Sequence, residues 1–288
     1  MVKRSQMHDL QASYENYVSM TTSRVTAVRY AGALENFFRR FTEKRDPEEF
    51  TKRDVEDYKI YRLRDKVSPR TVNYELQVVK SFWNWMIRME IVTYNPLTSA
   101  KRLKEKEPER KSLSEEDQAR LYATAESMGS LHDRLLVFLS LSTGLRATTL
   151  SQLETSDVDF EASCLRIPAE KMKAGRNHEI PIQPGLVELL KQVPEGRVFE
   201  GYAKNAKTLS YRFDRLLRRS GLSLRGLRTS RRTFATTLLR TGTDIGIVKD
   251  LMGHRSVLTT SKYITQADSA QVKAALDKLP GPNPSFES

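Results

Sequence analysis

Apolar residues recur at helical spacing through the first third of the chain. Between residues 8 and 44 they form one continuous stripe, which predicts a single long helix. Thr51 and Ser68-Pro69 precede two further stripes, and these residue types are typical of a helix N-cap and first turn. Asn95-Pro96 then stops helix propagation. The pattern therefore predicts a small all-helical domain over residues 1–98.

The pattern changes at residues 99–112, where nine of fourteen residues are charged and almost none is apolar. Such a composition cannot bury a core, so an exposed linker is predicted. Residues 113–288 are predicted to form a second domain, which begins with helices and includes a strongly apolar one at 131–141. Apolar and polar residues then alternate on both sides of Gly175, which indicates a β-hairpin, and helical patterns follow. The predicted fold is mainly α with a small β-sheet or hairpin, in two domains.

Composition excludes several classes of protein. The single cysteine, Cys164, excludes an internal disulfide framework and a cysteine-based zinc site. The four histidines form no metal-binding motif, and neither a glycine-rich phosphate loop nor a GxSxG motif is present. No run approaches the ~18 apolar residues of a membrane span, and the first ten residues lack an apolar signal core. We therefore expect a soluble cytoplasmic protein with no bound metal and no membrane partner.

The net charge narrows the choice of partner. The 288 residues include 48 Lys and Arg against 36 Asp and Glu, which gives a formal charge of +12. Residues 1–105 hold 20 basic and 14 acidic side chains and residues 106–288 hold 28 and 22, so the excess is spread over both domains. A polyanion held by both domains is one explanation, because each phosphate neutralised by Lys or Arg releases counterions. A generally basic protein is the other, although residues 207–232 hold nine basic side chains and a single acid.

Arginines beside predicted turns come in a definite order and are followed by one tyrosine. TGLR at 143–146 follows the apolar helix, and LRTSRRTFAT occupies 227–236. LMGHRS occupies 251–256, and Tyr263 lies nine residues after His254. This set of motifs resembles the catalytic boxes of the tyrosine recombinases, also called phage-type integrases. The N-terminal helices and their closing Asn-Pro extend the resemblance over nearly the whole chain.

The resemblance implies a site-specific DNA recombinase that cleaves and rejoins strands through a 3′-phosphotyrosyl intermediate. It also implies that the N-terminal helices bind the DNA core site and that residues 113–288 form an α+β catalytic domain. No cofactor is expected, because the phosphotyrosyl link retains the bond energy without ATP or metal. The implied partner is double-stranded DNA with specific recombination sites. The protein would be a monomer when free and a homotetramer on synapsed DNA, acting through a Holliday junction in the nucleoid of a prokaryote or on a mobile element.

Six side chains receive catalytic roles from this resemblance. The tyrosine is the nucleophile, the hairpin lysine is the general acid, and the others contact the phosphate, which guanidinium groups bind in bidentate fashion. The six are Arg146, Lys173, Arg228, Arg231, His254 and Tyr263. Lys171 and Arg176 compete with the lysine on the same hairpin, and the neighbouring Arg232 competes with the second arginine.

Two positions depart from the family pattern. Arg228 stands where a histidine is usual, and Thr149 stands where an acid three residues after the first arginine is usual. Arg228 can donate hydrogen bonds to phosphate but cannot accept the tyrosine proton. An active enzyme is the first hypothesis. A DNA-binding accessory protein that has lost turnover and a type IB topoisomerase are the alternatives.

Direct readout of a DNA sequence needs side chains in the major groove. The third predicted helix and the second domain supply the candidate DNA-binding residues, which are Arg70, Thr71, Asn73, Lys80, Arg176 and Arg232. Residues 269–279 have an apolar face at helical spacing and predict a C-terminal tail helix. That helix packs either on its own domain or, as the resemblance implies, on the neighbouring protomer.

Overall fold

The computed structural model describes residues 3–44, 46–105, 111–128, 130–223 and 226–263. The chain divides into two compact units, Met1–Pro108 and Glu109–Ser288, which are called the N-terminal unit and the C-terminal unit below. The described part of the first is helical, and that of the second combines helices with one small antiparallel sheet. The mainly α fold with a small sheet is therefore confirmed. The predicted tail helix at 269–279 lies outside the described residues.

Four α-helices make up the described N-terminal unit. They are α1 (Lys3–Thr21), α2 (Arg24–Arg40), α3 (Lys52–Arg64) and α4 (Pro69–Arg88). The predicted caps of α3 and α4 are confirmed: Thr51 and Asp54 form a capping box, and the Ser68 hydroxyl accepts from the Thr71 N–H. These bonds satisfy backbone donors that no preceding turn can reach.

The single helix predicted over 8–44 is wrong, because the chain breaks between α1 and α2. Ser23 adopts an extended conformation, and its hydroxyl accepts a hydrogen bond from the Thr26 N–H at 3.3 Å. The Thr22 hydroxyl donates to the Val18 carbonyl at 2.7 Å, which closes the preceding helix. Short hydroxyl side chains compete with the helical backbone for hydrogen bonds, so they favour a cap even where the apolar stripe continues.

The core of the N-terminal unit is aromatic and surrounds one buried carboxylate. Phe37 lies between Tyr58 and Trp83, with ring centroids 4.9 and 6.1 Å away. Glu75 of α4 is 3% exposed and accepts hydrogen bonds from Arg62 Nε and Nη2 at 2.9 and 2.6 Å. Tyr58 Oη donates to the same carboxylate at 2.9 Å. The charge is compensated by several donors, as a buried carboxylate requires.

The first half of the predicted linker packs on the N-terminal unit. The Leu103 N–H donates to Asn73 Oδ1 at 2.8 Å, and Asn73 Nδ2 donates to the Leu103 carbonyl and to Glu105 Oε1. Ala100 and Leu103 also pack against the aromatic core. The charged segment 99–112 can therefore attach to the N-terminal unit through its first half. The buried Asn73 amide and the apolar contacts of Ala100 and Leu103 hold that half in place.

The C-terminal unit is built around one buried helix. Its helices are α5 (Glu115–Ser127), α6 (Leu131–Thr143), α7 (Ala147–Ser151), α8 (Pro184–Leu190), α9 (Ala206–Arg219), α10 (Leu227–Arg240), α11 (Ile245–Leu251) and α12 (Val257–Thr260). The predicted apolar helix is α6, which packs against α5, α8, α9 and α10. A smaller apolar cluster of Phe234, Ala235, Val248 and Met252 joins α10 to α11, and Tyr263 packs against it.

The predicted hairpin forms two strands of a three-stranded antiparallel sheet. The strands β1 (Val158–Asp159), β2 (Cys164–Ile167) and β3 (His178–Pro181) pair in chain order, and β1 was not predicted. Ile167 pairs with His178 at the end of the ladder. The connecting segment therefore leaves the sheet at one end and carries residues 168–177 away from it. Among the described ranges, no helix has the length and apolar character needed to cross a bilayer.

Candidate active site

Arg231 of α10 occupies the centre of the site and is only 7% exposed. Its Nη1 donates to the Gly144 carbonyl at 2.5 Å, and its Nη2 donates to the Met252 carbonyl at 2.7 Å. Burial lowers the pKa of Arg231 to about 10, and the charge of Arg146 acts in the same direction, while the nearby Tyr263 phenol opposes the shift. The guanidinium remains protonated at neutral pH and links the ends of α6 and α11.

Gly144 allows this anchor to form. It ends α6 in the left-handed conformation, with φ at 58°. A Cβ at this position would overlap the ring of Phe234. The glycine of the TGLR motif is therefore required twice, for its backbone angle and for the close approach of α10.

Arg146 follows at the N-cap of α7 and is half-buried. Burial lowers its pKa, and the nearby Tyr263 phenol acts in the opposite direction. The mutual electrostatic influence of Arg146, Arg231 and Tyr263 follows from their proximity. Two cations beside one phenol form a concentrated positive field, which suits a phosphate diester.

His254 is 3% exposed and is held between two hydrogen-bond partners. Arg231 Nη2 lies 2.7 Å from Nε2, and Thr260 Oγ1 lies 2.9 Å from Nδ1. Since a guanidinium only donates, Nε2 accepts, and the neutral ring carries its proton on Nδ1 and donates it to Thr260. Burial lowers the pKa of His254 to about 4, and the charges of Arg231 and Arg146 add to the effect. His254 is therefore neutral at physiological pH.

Tyr263 lies in the short turn after α12 and stacks on the histidine. The centroids of the Tyr263 and His254 rings are 6.2 Å apart, with planes inclined by 7°. The guanidinium of Arg232 lies 5.7 Å from the centroid of the Tyr263 ring. The structure thus brings together four of the six predicted catalytic side chains: Arg146, Arg231, His254 and Tyr263.

The two hairpin lysines have different surroundings. Lys171 Nζ lies 2.8 Å from a carboxylate oxygen of Asp157 and 2.8 Å from one of Glu154, so its charge is compensated. Lys173 is exposed between the buried Met172 and Ala174. The structure therefore favours Lys173 as the available ammonium group of this turn.

Thr149, at the position of the expected acid, serves the same hairpin. It is 2% exposed, and its hydroxyl donates to the Lys171 carbonyl at 3.1 Å. Arg228, the other departure from the family pattern, lies in the first turn of α10, three residues before Arg231, and is exposed. It is on the same face of the helix as Arg231 but outside the buried cluster.

Four of the six predicted DNA-binding residues lie on α4, and they differ in their exposure. Arg70 and Thr71 are exposed in the first turn of α4 and are available to a ligand. Asn73 is 3% exposed with both polar atoms bonded to residues 103 and 105, which is incompatible with the predicted base contact. Lys80 is half-buried, and its Nζ donates to the Thr98 carbonyl at 3.3 Å. Asn73 was predicted to be exposed because its partners, residues 103 and 105, lie about thirty positions further along the chain.

Arg176 and Arg232, the other two predicted DNA contacts, lie beside the site. Arg176 is exposed, and its Nη2 donates to the His254 carbonyl at 3.2 Å, whereas Arg232 is half-buried over Tyr263. Sequence reasoning missed three residues that hold the site by hydrogen bonds. Thr260 bonds to the His254 ring, and His178 and Arg255 bond to the carbonyls of Leu251 and Ala174. The position of Arg255 directly after His254 was the available signal. Within the described ranges, no group of three or more His, Cys, Asp or Glu side chains could hold a metal ion.

Comparison with known proteins gives two matching family models. The phage integrase family matches residues 111–270, and the phage integrase N-terminal SAM-like domain matches residues 10–93. The chain is 28% identical to the tyrosine recombinase XerC of Chlamydia caviae over 233 residues, which are 74% of this chain and 73% of XerC.

Solved structures share the fold at lower identity. The Tn1549 transposon integrase in complex with transposon right end DNA has a TM-score of 0.75 and 17% identity, covering 93% of this chain and 98% of that one. A lambda integrase tetramer bound to a Holliday junction has a TM-score of 0.72 and 20% identity, covering 90% and 77%. The catalytic family model spans more than half of the residues, and this chain therefore belongs to the phage integrase family.

Proposed function

We propose that this protein is a site-specific DNA recombinase that cleaves and rejoins strands through a 3′-phosphotyrosyl link at Tyr263. The observation that carries the proposal is the stacking of the Tyr263 ring on His254, whose Nε2 accepts a hydrogen bond from the buried guanidinium of Arg231. Membership of the phage integrase family supports the same chemistry. The assignment accounts for the basic charge of both units, because duplex DNA is the polyanion that both would contact.

The reaction requires a new bond between phosphorus and the Tyr263 oxygen while the bond to the 5′ oxygen breaks. Arg146 and Arg231 neutralise the charge that develops on the non-bridging oxygens. Lys173 gives its proton to the departing 5′ oxygen, and the phenol proton passes to solvent. A 5′ hydroxyl from the exchanged strand then attacks the phosphotyrosyl link and releases Tyr263.

His254 orients Arg231 in this scheme. Its Nε2 accepts from Arg231 Nη2, and its Nδ1–H is held by Thr260, so the ring fixes the direction in which the guanidinium points. A neutral imidazole can do this without adding a third charge to the pair of arginines. In this tautomer Nε2 carries no proton, so His254 acts on the phosphate through Arg231 and not through a hydrogen bond of its own.

The proposed partner is double-stranded DNA carrying specific recombination sites. A homotetramer on synapsed DNA is the proposed active assembly, since the lambda integrase of the same fold is a tetramer on a Holliday junction. The free protein is proposed to be a monomer acting in the cytoplasm, at the nucleoid of a prokaryote or on a mobile element. Arg70 and Thr71, exposed at the start of α4, are the proposed base-reading candidates of the N-terminal unit.

Covalent trapping tests the proposal. A nicked suicide duplex that carries a selected binding site should yield a denaturant-stable adduct with the wild-type protein and none with Tyr263→Phe. Tyr211→Phe is the matched control, because Tyr211 is a 62% exposed tyrosine of the same unit, and it should form the adduct normally. An adduct from Tyr263→Phe would refute the nucleophile. Binding without any adduct from the wild type would favour the accessory-protein alternative.

A further inference from the structure

Two arginines bind reciprocally across the site, between the lysine turn and the histidine segment. Arg255, next to His254, donates from Nε and Nη2 to the carbonyl of Ala174, next to Lys173, at 3.1 and 2.5 Å. Arg176, on the lysine turn, donates from Nη2 to the carbonyl of His254 at 3.2 Å. Each segment thus holds the backbone beside the functional residue of the other. These two arginines and their carbonyl partners are called the arginine latch below.

Contacts beneath the arginine latch join the same two segments, the lysine turn and the histidine segment. His178, where the turn rejoins β3, has its Nε2 3.0 Å from the Leu251 carbonyl. A carbonyl only accepts, so Nε2 carries the proton and donates. Met172 lies so close to Gly253 that a Cβ built on the glycine would be 2.8 Å from Met172 Cε. The base of the turn is therefore in close contact with the segment before His254.

The arginine latch holds the backbone next to Lys173, which is the exposed residue between Met172 and Ala174. Met172 and Ala174 are 6% and 8% exposed, whereas Lys173 between them is exposed. Two charge-assisted hydrogen bonds from Arg255 fix the Ala174 carbonyl, one residue after Lys173, and so restrict the backbone from which the lysine side chain extends. Arg255 is itself exposed, so its removal leaves the apolar cores of the unit intact.

We propose that Arg255 is a positioning residue for the protonation step, and that the arginine latch ties the placement of Lys173 to the placement of His254. The inference rests on the proposed function, since it concerns delivery of the Lys173 proton to the departing 5′ oxygen. A displacement of about 1 Å in a catalytic group can slow a reaction by as much as ~100-fold. We therefore expect Arg255→Ala to slow cleavage by about 10- to 100-fold.

A leaving group that needs no proton separates this role from a general loss of structure. In a suicide duplex with sulfur in place of the bridging 5′ oxygen, the group departs as a thiolate, whose conjugate acid has a pKa of only ~8.5. Single-turnover cleavage by Arg255→Ala should be slow on the oxygen duplex and close to the wild-type rate on the sulfur duplex. Lys173→Ala should behave in the same way, and Tyr263→Phe should be inactive on both.

A double variant tests the dependence on the lysine. On the oxygen duplex, Arg255→Ala in the Lys173→Ala background should change the rate by less than about 2-fold, because the positioned group is already absent. A full additional loss would overturn the role. So would a wild-type rate for Arg255→Ala on oxygen, or an equal defect on both duplexes. If the wild-type protein cleaves neither duplex, the proposed function fails and the positioning role fails with it.

Discussion

Acidification tests the buried, neutral state of His254. In the folded protein its pKa is about 4, because the ring is buried beside the charges of Arg231 and Arg146. In the unfolded chain the same group has a pKa of about 6.5. As the pH falls below ~6.5, the unfolded chain therefore binds a proton at this ring that the folded chain does not bind, and the folded state loses stability. Above ~6.5 this residue contributes no pH dependence to stability.

The size of the effect follows from the two pKa values. Each pH unit between them is worth about 1.36 kcal/mol, so the free energy of unfolding should fall by about 2.5 kcal/mol at pH 4.5 on account of His254 alone. The loss should level off below pH ~4, where both states are protonated. His254→Gln removes the titration while its amide can still accept from Arg231 and donate to Thr260.

Calorimetric unfolding from pH 4.5 to pH 7.5 measures the difference between the two proteins. The wild type should lose more stability than His254→Gln on acidification, and the two curves should run parallel above pH 7. A proton NMR titration of the wild type identifies the His254 ring by its absence from the variant. Parallel curves over the whole range, or a ring that titrates near pH 6.5, would refute the buried neutral geometry.

Three other perturbations follow from buried contacts. Glu75→Gln leaves the Arg62 guanidinium without its buried counter-ion and should destabilise the N-terminal unit by about 3–5 kcal/mol. Urea unfolding, followed by the fluorescence of the two tryptophans in that unit, measures the loss of stability, and a loss under ~1 kcal/mol would contradict the prediction. Gly144→Ala introduces a side chain at a φ of 58° and into a packed ring, so calorimetry should show a loss of about 2–4 kcal/mol; an unchanged melting temperature would disprove the close approach. Thr260→Val removes the acceptor of the His254 N–H and should cost about 1–3 kcal/mol, whereas a stabilised variant would mean that this bond is absent.

Features with a local cause could be predicted from the sequence. Ser68-Pro69 starts a helix because the hydroxyl and the ring act within one turn, and the structure has α4 begin there. The turn around Gly175 was found because alternation and a glycine turn indicate a hairpin at short range. The break at Ser23 is also local, but the continuous apolar stripe outweighed a single cap residue in the prediction.

Features that depend on distant partners could not be predicted. The family resemblance selects Lys173 over Lys171, but composition and spacing do not. The structural reason lies in the contacts of Lys171 with Asp157 and Glu154, 14 and 17 residues away. Asn73 belongs to the packing of residues 103 and 105, some thirty positions later. Hydrogen bonds of this kind leave no periodicity, so neither pattern nor composition reveals them.

The backbone anchors of Arg231 bear on how loss of activity in a relative would be recognised. Its guanidinium satisfies the carbonyls of Gly144 and Met252, so deleting it would leave two buried acceptors without a donor. A descendant that no longer cuts DNA would still lose about 1–3 kcal/mol of stability for each unsatisfied carbonyl if it lost this arginine. Phenylalanine at position 263, by contrast, would keep the ring that stacks on His254 and lose only the hydroxyl. Drift towards inactivity should therefore be visible first at Tyr263 and at the exposed Lys173, and an intact Arg231 is a poor marker of a working enzyme.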